Sequence, residues 1–317
     1  MSKLPIHMDV DTGTDDAIAL LCALLSEDQI ELKAVTTVAG NVPLDLTSAN
    51  TLNLLRCMGS KVKVARGAEK PLERELECTV CHGKTGLGSV QLPESQDPFY
   101  EKDAVDTIYE PACSAEGELI FLGTGPETNL AKALMKYPDL KDKIKRIYVM
   151  GGALHGGNMT LASEFNAYVD PEAFKIVVNA GIPMTMVGLD VTLKTAIPMW
   201  FLDEMRKIDN PYARMAVDVM DASLAVNREY GYDEANIHDA LAFIAILYPE
   251  LLTLKKYYVD VETQGVLTRG MTVADFTGVC EMDPAKQENI DCAVDVDLEG
   301  FWKVLLSLFG NRGGSKA

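Results

Sequence analysis

Apolar positions along the chain fall into short continuous runs separated by amphipathic stretches. LPIHMD (4–9) and IELKAVTTVA (30–39) read as strands, and KVKVA (61–65), ELIFLG (118–123), RIYVMGG (146–152) and PMTMVGL (183–189) continue the series. Between them the pattern predicts helices over 15–26, about 43–58, 128–137 and 170–181. The last has Asp170 as N-cap, Pro171 in its first turn and Gly181 at its end. DALAFIAILY (239–248) is a further helix stopped by Pro249, and a polar stretch dotted with Pro and Gly from about 67 to 100 predicts a long loop. Trp200 and Trp302 fall in helical patterns and are expected to be packing residues. Continuous apolar strands alternating with helices imply an α/β fold, a mostly parallel central sheet flanked by helices on both faces. No repeat or linker interrupts 1–317, which is expected to be one domain. Ligands in such folds sit at the carboxyl ends of the strands. Unusual polar residues recur there, after residues 9, 39, 123 and 150 and before the helix at 239.

Composition narrows the partners. The 317 residues are 48% apolar, and 29 basic against 47 acidic side chains give a net charge of −18. That sign argues against nucleic acid and anionic membrane, which need clustered Lys and Arg. It suits an enzyme that acts on a neutral metabolite or holds a cation. The longest apolar run, Ala17 to Leu25, is far below the ~20 residues of a membrane span. The first strand follows the start so closely that no signal peptide is expected. Seven scattered cysteines, an odd number, fit reduced thiols and a cytoplasmic location.

The candidate chemistry starts at DVDTGTDDA (9–17), which crowds Asp9, Asp11, Asp15 and Asp16 into a strand-to-helix junction with Gly13 available for a turn. The helix N-terminus favours each negative charge by about 0.3–1 kcal/mol, too little to hold four carboxylates together. A bound hard cation such as Ca²⁺ or Mg²⁺ would do so. Two families begin in this style. Haloacid-dehalogenase-type Mg-dependent phosphohydrolases use Asp-x-Asp-x-Thr/Val, but the fifth position here is Gly13 and the pair Asp15-Asp16 has no place in that motif. The chain more closely resembles the nucleoside hydrolase family, whose signature D-x-D-x-G-x-D-D-A is matched at every fixed letter. TTVAGN (36–41), HGKTGLG (82–88), GTGPETNLA (123–131), VMGG (149–152), EFN (164–166), DPEA (170–173), MVGLDVT (186–192), HDALA (238–242) and GMTVADF (270–276) resemble that family's blocks, in its order.

The resemblance implies a Rossmann-like nucleoside hydrolase architecture and cleavage of the N-glycosidic bond of purine or pyrimidine ribonucleosides to ribose and free base, in nucleoside salvage. It implies a Ca²⁺ ion held by Asp11, Asp16, Asp239 and the carbonyl of Thr124, and a calcium-bound water for which Asp11 is the general base. Asp9 would support the loop from behind. Asp15, Asn166 and Asp239, with Asn41 nearby, would bind the 2′- and 3′-hydroxyls, and Asn158 and Glu164 the 5′-hydroxyl. Met150 could touch the sugar or belong to the core. His238 is the candidate acid for the leaving base, since an ordinary imidazole titrates near neutrality. His82 matches a base-side histidine, His7 is expected in the core, and His155 has no assigned role. Tyr230 and Tyr232, in a segment (228–236) that is mobile in the family, are candidate base contacts. His82 with His238 leans toward the inosine–uridine or pyrimidine-preferring branches. The family forms homodimers or homotetramers. One departure is Ala240, where the family often has Pro; it touches the helix entry rather than the ion.

Cys78-Thr79-Val80-Cys81-His82 also spells the haem-attachment pattern C-x-x-C-H. Strand–helix alternation over the whole chain does not suggest a small haem-wrapping fold, and no second cysteine pair follows at zinc spacing.

Overall fold

The computed structural model describes residues 3–284 and 286–311. Its strands are β1 (Leu4–Val10), β2 (Ile30–Thr37), β3 (Val64–Arg66), β4 (Leu119–Gly123), β5 (Ile144–Met150), β6 (Met184–Val187), β7 (Leu252–Tyr257), β8 (Val259–Val261), β9 (Thr272–Ala274) and β10 (Ile290–Val296). Eight of them form one sheet in the order β3-β2-β1-β4-β5-β6-β10-β7, and β8 pairs with β9 apart from it. Every pairing in the large sheet is parallel except β10 with β7. The mostly parallel sheet expected from the apolar runs is therefore present.

The helices are α1 (Thr14–Leu25), α2 (Leu44–Cys57), α3 (Ala104–Ser114), α4 (Thr128–Lys136), α5 (Phe165–Val169), α6 (Pro171–Val178), α7 (Leu189–Thr192), α8 (Met199–Met205), α9 (Pro211–Glu229), α10 (His238–Leu247) and α11 (Leu298–Gly310). Strand alternation divides the core. Ile6, Met8 and Val10 of β1 join the cluster filled by α1, α10 and α11, whereas His7 points the other way and stacks on Phe121 at 5.6 Å. Phe121 belongs to the second cluster, with Phe174 of α6 and Leu130 of α4. His7 is thus a core residue, its Nε2 against Thr36 Oγ1 at 2.9 Å, and burial lowers its pKa to about 3.

Trp302 is buried as expected, but Trp200 of α8 is 51% exposed and meets Phe201 only edge-on. Helix α3 went unpredicted because Pro111 lies inside it, where a missing N–H and a ring clash normally end a helix. Asp103 nonetheless caps it by accepting the Asp106 N–H at 2.9 Å.

Candidate active site

The acidic loop leaves β1 at the middle of the sheet and enters α1. Asp16 does two jobs there: its Oδ2 accepts the Gly13 N–H (2.8 Å), closing the start of the helix, and its Oδ1 accepts the Thr124 hydroxyl (2.7 Å) beyond β4. Asp11 Oδ2 accepts the Asn41 N–H (2.7 Å), while its Oδ1 is buried with no partner. Asp15 Oδ1 is likewise buried and unpartnered. Asp9 sits below, its Oδ1 taken by the Thr36 hydroxyl (2.5 Å) and Asn129 Nδ2 (2.8 Å), in keeping with a supporting residue. Gly13 makes no left-handed turn, since its φ is −94°. It is small because a Cβ would lie 2.8 Å from both Asn41 Nδ2 and the His82 ring.

Asp239, in the first turn of α10, completes the cluster. Single carboxylate oxygens of Asp15, Asp16 and Asp239 all lie within 4.8 Å of one another. Asp15, which the resemblance gives to the ribose, is the third member of this trio, and Asp11 is not in it. Burial raises all of these pKa values; repulsion between carboxylates adds to it for Asp11, Asp16 and Asp239, whereas His238 pulls that of Asp15 back down. Asp16 reaches about 6 through burial and Asp15. Asp11 stands well above its ordinary value through burial and Asp16, and Asp239 through burial, Asp15, Asp16 and Asp11. Orphaned buried oxygens and an all-carboxylate trio fit a hard divalent cation, which prefers several oxygens, better than zinc.

A cavity of about 700 Å³ is lined in part by Asp15, Asp239, Asn41 and Thr124, while Asp11 and Asp16 lie outside its lining. Met150, Asn158, Glu164 and Asn166 wall one side. Asn166 is held by its Nδ2, which donates to the carbonyls of Thr124 (2.9 Å) and Met150 (3.0 Å). Glu164 caps α5, accepting the N–H groups of Asn166, Ala167 and Gly152 at 2.9–3.1 Å, and burial pushes its carboxyl up to about 7. Asn158 Oδ1 accepts the Phe165 N–H at 2.9 Å. Their loop turns so tightly that a Cβ on Gly157 would lie 2.3 Å from the Ser163 backbone. Met150 is both a core residue, 4% exposed, and a cavity residue.

His82 and His238 stand at the other end. The Thr14 N–H, which can only donate, points at His82 Nδ1 from 3.1 Å, so the ring proton sits on Nε2. Burial lowers the His82 pKa to about 4. Burial also lowers that of His238, against the pull of Asp15, and its Nδ1 has no partner. The pKa of His238 therefore lies below the ordinary imidazole value on which its expected acid role rests. His155 lies outside the cavity, its Nδ1 2.8 Å from Asp190 Oδ1 and its ring stacked on Phe276. Tyr232 lines the cavity and Tyr230 does not; between them Gly231, at φ +85°, ends α9.

Sequence reasoning missed Ser223 and Asn227, which α9 brings to the histidine end. The signal was present: Asn210 and Pro211 mark a helix start, and positions 223 and 227 are one turn apart on the same face.

A family model described as inosine-uridine preferring nucleoside hydrolase matches residues 6–303. A pyrimidine-specific ribonucleoside hydrolase, RihA, of Escherichia coli is 40% identical over 306 residues, 95% of this chain and 97% of its own. Among solved structures, a purine-preferring ribonucleoside hydrolase from Gardnerella vaginalis is 31% identical with a TM-score of 0.88, covering 97% of this chain and 98% of that one. The plant nucleoside hydrolase PpNRh1 is 28% identical with a TM-score of 0.91, covering 98% and 99%.

Proposed function

The chain belongs to the inosine-uridine preferring nucleoside hydrolase family and is a ribonucleoside hydrolase; from that premise we propose that pyrimidine ribonucleosides are its preferred substrates and Ca²⁺ its ion. The phosphohydrolase alternative has no support in these relationships. The observation that carries the base preference is the histidine end of the cavity. It offers His82, His238, Ser223 and Asn227, hydrogen-bonding groups suited to a base edge, in a cavity whose lining also includes the rings of Phe165 and Tyr232. The pyrimidine-specific relatives support the same reading.

Asp11, Asp16, Asp239 and the Thr124 carbonyl would hold the ion, with Asp15 close enough to contribute. When bound, the ion offsets the carboxylate charge and acidifies water within the site. Asp11 takes the proton of the attacking water through its unpartnered Oδ1. Asp15, Asp239 and Asn166, with Asn41, bind the 2′- and 3′-hydroxyls, and Asn158 and Glu164 the 5′-hydroxyl. His238 protonates the departing base after gaining a proton that the nearby Asp15 carboxylate favours. The match over 6–303 supports a single catalytic domain. Seven unpaired cysteines fit a cytoplasmic salvage enzyme, and no helix among the described residues is long and apolar enough to cross a membrane. A homodimer or homotetramer is the assembly in this proposal.

A panel of ribosides read by reducing-sugar release tests the assignment. Uridine and cytidine are expected to exceed inosine and adenosine at least tenfold in kcat/KM, and 2′-deoxyuridine to fall by a factor on the order of 10²–10⁴, because its absence of a hydroxyl strands buried partners. Faster turnover of inosine than uridine would overturn the base preference. His238→Ala should slow uridine by a factor on the order of 10²–10³ yet barely affect p-nitrophenyl riboside, whose leaving group needs no proton. The alkaline limb of the pH profile, where the acid loses its proton, should vanish with it. Equal losses on both substrates would remove His238 from the acid role.

A further inference from the structure

Hydrolysis leaves one sequence motif unused, the pair Cys78 and Cys81 immediately before His82. Both thiols are exposed. Thr79, Cys81 and His82 line the cavity, and Cys78 is near enough to the site that the Asp11 carboxylate adds to burial in pushing its thiol up. The chain curls here: the Cys81 N–H donates to Thr79 Oγ1 (3.2 Å) and the Gly83 N–H to the Val80 carbonyl (3.0 Å). Curling matters because an extended three-residue separation spans roughly 10 Å, beyond the ~4.4–6.8 Å between Cα atoms that a disulfide bridges. Among the described residues the three side chains Cys78, Cys81 and His82 form no metal-ligating cluster, which leaves thiol chemistry.

We propose that Cys78 and Cys81 form a reversible disulfide at the mouth of the cavity that switches the hydrolase off, with a low-molecular-weight disulfide as oxidant. The Cys81 thiolate, on the cavity rim, attacks one sulfur of the oxidant, giving a mixed disulfide and releasing one thiolate, which takes up the Cys81 proton. Cys78 then attacks the Cys81 sulfur, loses its own proton and expels the second thiol. The protein gives up two electrons and two protons, and one disulfide becomes two thiols. The new bond tightens the backbone next to His82. That ring is fixed on the α1 side by the Thr14 N–H at 3.1 Å and the Thr14 hydroxyl at 2.8 Å. Drawing residue 81 toward 78 pulls His82 off Thr14 and distorts the base end. The inference rests on reading His82 as a wall of the substrate site.

The test uses the full chain equilibrated with oxidised glutathione, alkylated and cleaved with trypsin. Cleavage after Arg74 and Lys84 gives a peptide, Glu75 to Lys84, that carries both cysteines and no other. Expected is that peptide two hydrogens lighter and unalkylated, with kcat/KM down at least tenfold on whichever nucleoside the panel ranks first. Dithiothreitol restores both readouts. Cys78→Ser, outside the catalytic machinery, keeps the activity of the reduced parent, and under the oxidant it stops at the Cys81 mixed disulfide, a peptide heavier by one glutathionyl group. Full alkylation at Cys78 and Cys81, or a closed pair with unchanged kcat/KM, or a Cys78→Ser peptide that carries no glutathionyl group, would each overturn the proposal. Because the readout follows the best nucleoside, a wrong base preference shows in the panel and leaves this result intact.

Discussion

Asp11→Asn is expected to lower kcat by a factor on the order of 10²–10⁴ while leaving the fold in place. The amide oxygen can still accept the Asn41 N–H that Asp11 Oδ2 now receives at 2.7 Å, so the loop keeps its anchor. What disappears is the proton acceptor, together with one negative charge among Asp15, Asp16 and Asp239. Burial and Asp16 already hold the Asp11 carboxyl far above its ordinary range, so removing its charge relieves repulsion. In chelator the variant should therefore melt no lower than the parent, even as turnover collapses. Activity within tenfold of the parent would take Asp11 out of the base role. A large fall in melting temperature would mean instead that the carboxylate is a structural element.

Chelation should cost the parent most at alkaline pH. In the unfolded chain these carboxyls titrate near 3.8, and in the folded protein Asp9 and Asp16 titrate at about 6, with Asp11 and Asp239 also raised well above their ordinary value. Between about pH 4 and pH 6 the folded state thus holds more protons than the unfolded one, so stability falls as pH rises. The penalty is absent below the unfolded value and complete once pH exceeds the folded values. With EDTA present the melting temperature should drop from about pH 5 to about pH 8. Ca²⁺ at a hundred times its Kd should add about 2.7 kcal/mol, more effectively at pH 8, where protons no longer compete for the same oxygens. A melting temperature indifferent to EDTA and Ca²⁺ at both pH values would sink the cation site, and a response to Mg²⁺ but not Ca²⁺ would change the ion.

Much of this was legible before any coordinates. The first sheet strands and α1, α4 and α10 announced themselves because their apolar periods are uninterrupted, and the four aspartates because nothing in a core explains them. Proximity was not legible. Periodicity cannot say that α9 carries Ser223 and Asn227 to the histidine end, because that depends on packing against α1. Nor could it say that Asp15 rather than Asp11 closes the trio with Asp16 and Asp239. The lowered pKa of His238 was also hidden, since burial, not residue type, causes it. Glu127 shows the same limit. In sequence it is an ordinary polar residue, yet both of its oxygens are buried without a partner, and burial with Asp9 raises its pKa well above the ordinary value.

The trio also has a place in time. A chain leaving the ribosome presents Asp15 and Asp16 almost at once and Asp239 only after most of the sheet has been synthesised. Until α10 docks on α1, the cluster lacks one of its three carboxylates. Contacts this distant in sequence form late, once loop-closure entropy has been overcome. Cation capture, as proposed, therefore belongs to a late stage of assembly: an ion held by these carboxylates would stabilise by mass action the chain in which α10 has docked on α1, and would do nothing for one in which Asp239 is not yet in place.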